Sequence, residues 1–298
     1  MMESTWLWAV FTVLAAAAQT ARNAMQRELT GRLGTVGATH VRFLFGFPFA
    51  LVFLAGVLWG TGAPLPRTTG AFWSWIVVGA GAQILATGLM LAAMGERSFV
   101  VTIAYIKTEP VQVALFGLIF LGELLTLPMV VAILIATVGV LVMSLKPVAA
   151  SNGLRPVLLG LGAGGMFAAS AIGYRGAILG LAAPNFIMAA TFTLVVGLVM
   201  QSVVLSLYLA IRDRQVLVSI ARAWRPSLLA GFMGATASQF WFLAFALATA
   251  ASVRTLALIE VLFAQAISVL IFRQAVTMRE IAGMTLVVLG VTLLIWSY

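Results

Sequence analysis

Residues 105–115 read YIKTEPVQVAL and stand between the apolar runs FVVTIAY and FGLIFLG, so Lys107, Glu109 and Pro110 interrupt a segment otherwise fit for hydrocarbon. A carboxylate at the bilayer centre costs about 2.5–3.5 kcal/mol on insertion scales, and it is retained only against a partner, a cavity or a proton. The stretch therefore points to a polar interior within a membrane protein. The rest of the chain agrees: 63% of its 298 residues are hydrophobic and 8% charged, and the mean hydropathy is +1.13, far from the composition of soluble domains.

A spanning helix needs about 20 apolar residues. Such stretches recur near residues 6–24, 38–59, 71–94, 98–121, 126–145, 156–178, 186–210, 227–248, 252–272 and 280–297. About ten spans leave no room for a soluble domain. No basic region precedes the first span and no small-residue cleavage site follows it, so it reads as a retained helix. The absence of cysteine excludes disulfides, thiolate catalysis and thiolate-bound metal. Of 17 Lys and Arg against 8 acidic residues, most lie in short loops such as RDRQVLVSIARAWRP, which suits anionic headgroups rather than nucleic acid.

Sliding the chain along itself by 151 residues lays Trp73 on Trp224, Glu109 on Glu260, Thr126 on Thr277 and Gly139 on Gly290. Residues 1–147 and 148–298 are thus read as two repeats. With five helices each, an odd number, the second enters the membrane from the opposite side. The expected fold is all-α and integral to the membrane: about ten transmembrane helices in two inverted-topology five-helix repeats around a central cavity. Loops after odd-numbered helices carry eleven Lys or Arg against about two on the other side, a count that by the positive-inside rule favours both termini outside, while the weak charge bias of inverted repeats leaves the orientation open.

With TEPVQVALFGLIFLGELLT followed by the glycine-bearing ATVGVLVM, the chain resembles the EamA-type branch of the drug/metabolite transporter superfamily, Pro110, Gly122 and Glu123 matching its fourth-helix pattern. The ninth helix departs from that pattern, with Val261 for the proline and Arg273–Gln274 for Gly-Glu. The resemblance implies export or exchange of small organic solutes, including amino acids, drugs and nucleotide or sugar derivatives.

On an unbroken helix Tyr105, Glu109 and Gln112 share a face and Lys107 points away. Pro110 frees the carbonyl of Ile106 and is expected to kink the helix. Arg254 lies six residues from Glu260, too far round for a pair within one helix. Lys107 and Arg254 either neutralise the carboxylates across the repeat interface or hold a substrate carboxylate. The candidate substrate-binding residues are Gln19, Asn23, His40, Gln83, Tyr105, Lys107, Glu109, Gln112, Tyr174, Gln239, Trp241, Arg254, Glu260 and Gln265. Arg42, Ser170 and Arg175 are further wall candidates, and Arg22, Asn23 and Arg27 also read as loop residues near headgroups. His40 is expected to hydrogen-bond rather than relay protons. Trp241 and Tyr105 could stack on a planar substrate, whereas Trp6, Trp8, Trp59, Trp73, Trp75 and Trp296 read as interfacial belt. Gly160 with Gly164, and Gly56 with Gly60, have small-xxx-small spacing for close helix packing.

No H-E-x-x-H or G-x-S-x-G occurs, and Asp213 and His40 are the only residues of their kinds. An enzyme, a metal or a cofactor is therefore not expected. Amides, aromatics and both charge signs suit an amino acid or similar amphipathic solute better than a polyanion, which would need a denser basic cluster. With no cation on its own helical face, Glu109 is the expected carrier of a coupled proton. A passive channel, or a drug or sugar-nucleotide carrier of the same fold, is the alternative.

Overall fold

The computed structural model describes residues 6–94, 105–144, 155–270, 273 and 276–297. Its elements are α1 (Leu7–Leu44), α2 (Phe47–Thr61), α3 (Gly70–Met94), α4 (Glu109–Phe116) running into a π turn at Gly117–Leu121, α5 (Leu127–Ser144), α6 (Arg155–Leu179), α7 (Phe186–Arg212), α8 (Arg214–Arg222), α9 (Trp224–Leu247), α10 (Ala250–Leu256), a 3-10 turn at Ala257–Ile259, α11 (Glu260–Leu270) and α12 (Met278–Trp296). No strand occurs among the described residues, as hydrocarbon demands of a chain whose backbone groups must pair within each segment. Three buried hydroxyls are satisfied the same way: those of Thr12, Thr193 and Thr255 donate to carbonyls one turn back at 2.7 Å.

Seven helical stretches among the described residues are long and apolar enough to cross a membrane: Leu29–Thr61, Gly70–Met90, Leu127–Ser144, Val157–Leu179, Phe186–Arg212, Trp224–Leu247 and Met278–Trp296. Glu109–Leu121 is apolar but shorter. Residues 98–104, the start of the predicted fourth span, lie outside the described residues. The loop expected between residues 24 and 38 is absent. The α1 helix continues through it and bends only at Gly34, whose φ of 69° and ψ of 176° are open to a residue without a Cβ.

The predicted fourth and ninth spans are both discontinuous. Lys107 and Thr108 form a turn immediately before Glu109, and the 3-10 turn sits immediately before Glu260. The starts of α4 and α11, and those of α5 (Leu127) and α12 (Met278), are each 151 residues apart. Thr126 and Thr277 open the latter pair: Met129 N–H donates to Thr126 Oγ1 at 3.4 Å, and Thr277 forms a reciprocal capping box with Glu280.

The most extensive packing is of α1 on α9, α3 on α6 and α5 on α12, followed by α2 and α9 on α7 and α4 on α6. Glycines set the approach. A Cβ on Gly173 would lie 2.4 Å from the backbone nitrogen of Gly79, one on Gly290 2.6 Å from that of Ala136, and one on Gly139 2.7 Å from the carbonyl of Gly283. The predicted pair Gly56 and Gly60 takes no such part: both are exposed, with nothing within 4 Å of an added Cβ.

Trp59, Trp296, Ile211 and Leu127 are more than three-quarters exposed. Such a surface suits lipid, and the core is correspondingly rich in alanine and polar residues. Two predicted belt residues are not on it. Trp8 is buried, and Trp75 lies over Gly176, whose added Cβ would meet its ring at 2.6 Å.

Candidate functional site

A cavity of about 200 Å³ lies among α1, α3, α4, α6, α9, α10 and α11. Its size falls below the usual range for drug-sized ligands. Among the described residues its charged lining is Arg22, Arg42, Lys107, Arg254, Glu109 and Glu260. The two broken helices bring four of these together, in a crossed arrangement. Arg254 before the second break clamps Glu109 after the first, Nε to Oε1 and Nη2 to Oε2, both at 2.6 Å. Lys107, within the first break, pairs with Glu260 after the second. Neither pair could form within one helix.

Further polar groups close the arrangement. Gln19 of α1 donates from Nε2 to Glu260 Oε2 at 2.9 Å and accepts from the Trp241 indole at 3.1 Å. The Arg254 guanidinium carbon sits 4.8 Å from the centre of the Trp241 ring, at cation–π distance. On another wall Tyr174 donates to Gln83 Oε1 at 2.9 Å, and Gln201 Nε2 donates to the same oxygen at 2.8 Å.

Of the candidates from sequence, Gln19, Asn23, Gln83, Lys107, Glu109, Tyr174, Trp241, Arg254 and Glu260 line the cavity. The expected face shared by Tyr105, Glu109 and Gln112 does not exist. The turn at Lys107 and Thr108 resets the helical phase, so Lys107 and Glu109 line the same cavity while Tyr105 and Gln112 line a groove with Thr108, Thr137 and Leu161. His40 is fully buried outside the cavity, its Nε2 3.0 Å from Ser206 Oγ. Gln239 donates to Thr191 Oγ1 at 2.8 Å, and Gln265 of α11 is half-buried away from the cavity. Of the two roles left open for Lys107 and Arg254, the structure shows neutralisation of the carboxylates: Glu109 has no cation on its own helix and takes Arg254 from α10.

Sequence reasoning misassigned Arg22. It is 4% exposed and lines the cavity, because α1 does not end near residue 24. Arg175 is spent elsewhere: it pairs through Nε with Glu123 Oε1 and donates from Nη1 to the carbonyl of Phe245. Glu123 reaches it because Gly122, at φ 64°, ends the π turn and the Glu123 N–H returns to the Gly117 carbonyl at 3.0 Å. The signal for this latch was the Gly122–Glu123 pair itself.

The EamA-like transporter family model matches residues 6–145, which include Lys107, Glu109 and the Gly122–Glu123 turn. Over those residues, just under half of its length, the chain is similar to the EamA-like transporter family. A solved structure described as "Crystal structure of protein" superposes with a TM-score of 0.71 at 15% identity, covering 98% of this chain and 95% of that one. At that identity the likeness speaks to the fold alone. No curated protein matches the chain. The seven long apolar helices among the described residues and this match to a transporter family make it a multi-pass membrane protein.

Proposed function

We propose that this EamA-like chain is an alternating-access carrier that moves small organic metabolites, of amino-acid size and bearing a carboxylate, outward across the cytoplasmic membrane. The observation that carries the reading is the crossed ion pairing of the two broken helices at the cavity, Arg254 with Glu109 and Lys107 with Glu260. Broken helices whose ends meet between repeats are where secondary transporters bind their cargo. A permanently open pore has no need of interlocked charges across that seam.

The packing supports two inverted five-helix repeats. Counting the two arms of α1 (continued by α2) as spans one and two, the pairing of α1 with α9 exchanges with that of α6 with α3 on passing from one repeat to the other, while α5 with α12 maps onto itself. Loop ends support the same parity. Arg67, after α2, bridges to Ala182, after α6, and an added Cβ on Gly37, beyond the Gly34 bend, would touch Val216 of α8 at 2.9 Å. Proton coupling belongs to the same proposal: Glu109 is open to a proton in a state where the Arg254 fork has swung away, and Lys107 and Glu260 must rearrange with it.

Counterflow in proteoliposomes tests the reading. Vesicles preloaded with unlabelled amino acids and organic acids are expected to accumulate the same labelled solute by saturable, trans-stimulated uptake. Flux without saturation or trans-stimulation indicates a channel and removes the proposal.

A further inference from the structure

We propose that Arg22 and Arg42 form an anion-binding subsite, which makes the cargo of this cavity a small organic anion, a carboxylate or phosphate with net negative charge, rather than a neutral zwitterion. The inference rests on the carrier reading and names its substrate class. Among the described residues its lining carries four cations against two carboxylates, an excess of two positive charges. Both carboxylates are engaged, Glu109 by Arg254 and Glu260 by Lys107. The excess therefore resides on Arg22 and Arg42, which are 4% and 5% exposed.

Their side chains converge: an added Cβ on Gly234 of α9 would lie 3.4 Å from Arg42 Cγ and 3.5 Å from Arg22 Cδ. Arg22 Nη2 donates to Asn23 Oδ1 at 2.8 Å. Arg22 Nε and Nη1 and Arg42 Nε find no acceptor among the described residues. Two buried like charges with unmade hydrogen bonds are costly. A carboxylate or phosphate between them supplies both the counter-charge and the acceptors, and guanidinium forks match either group two-pronged. A neutral zwitterion would bring an ammonium into a cavity already in cationic excess, where each carboxylate has a partner.

The test uses the purified full chain and two measurements, thermal stabilisation in detergent and counterflow in phosphatidylcholine vesicles. The probes are succinate, glycerol 3-phosphate, leucine and arginine. Succinate or glycerol 3-phosphate is expected to stabilise the protein and to show counterflow, the preference between them telling carboxylate from phosphate. Arg22→Gln and Arg42→Gln are expected to weaken that anion's binding by about tenfold to a hundredfold each, the loss for a hydrogen bond to a charged group. Should either variant fail to fold, Arg22→Lys and Arg42→Lys keep the charge and lose the fork, and the wild-type probe preference decides by itself. Counterflow of leucine or arginine with no response to either anion overturns the subsite and leaves the carrier standing. Stabilisation by anions without counterflow of any probe does the reverse. Stabilisation by added phosphatidylglycerol but by neither soluble anion assigns the pair to a lipid headgroup and overturns the cargo assignment.

Discussion

Replacing Glu109 with Gln keeps the shape of the side chain and removes the charge that holds Arg254. Breaking a buried pair from one side costs about 3–5 kcal/mol, because the remaining charge is left without its counterpart. Two features of the site lower that figure. The side chains of Arg254 and Glu109 retain 15% and 9% exposure, and Arg254 keeps the Trp241 face at 4.8 Å, a contact worth about 0.5–2 kcal/mol. A loss of about 2–3 kcal/mol remains for E109Q, and R254Q, which strands a carboxylate, is expected to lose at least as much. If the two act as one unit, the double variant loses far less than the sum, with a coupling of about 1–3 kcal/mol. Equilibrium unfolding of the purified protein in mixed micelles measures all four corners of this cycle. Effects that add to within about 0.5 kcal/mol would refute the clamp as the unit joining the two broken helices.

Four more outcomes follow from the same contacts. Gly173→Leu drives a side chain into the backbone of Gly79 and is expected to destabilise the α3–α6 seam by about 1–3 kcal/mol or more, whereas Gly56→Leu, with open space around it, leaves unfolding unchanged. Glu123→Gln releases Arg175 and the Phe245 carbonyl it ties, which is expected to alter counterflow rate while leaving binding of the same solute within about twofold; equal loss of both would place Glu123 in the binding site instead. The chain has no cysteine, so Ser238→Cys at the cavity wall is expected to react with a membrane-impermeant thiol reagent and to be protected by transported solute, while Val204→Cys on the exposed face of α7 gains no protection. Under an imposed pH gradient, E109Q is expected to lose gradient-driven uptake and to retain exchange; an unchanged dependence on the gradient removes Glu109 from energy coupling.

What the sequence by itself determined was the solvent, the helical class and the 151-residue offset along which helix starts recur. Hydropathy needs no tertiary information, since each spanning segment must satisfy its own backbone. The offset that laid Glu109 on Glu260 and Thr126 on Thr277 also found the starts of α4, α5, α11 and α12, because caps and breaks are local. The tertiary structure decided the partners. Lys107 and Glu109 are two residues apart, and a helical wheel sends them to different faces; one turn of non-helical backbone put both on the cavity and let each find a partner on another broken helix. Arg22 read as a headgroup residue because its span was expected to end near residue 24, yet α1 runs on to Gly34 and carries the guanidinium inward to meet Arg42 over Gly234. Whether a charge in a membrane helix faces lipid, a partner or a cargo depends on what the neighbouring helices bring to the same depth, and periodicity along a single helix does not contain that information.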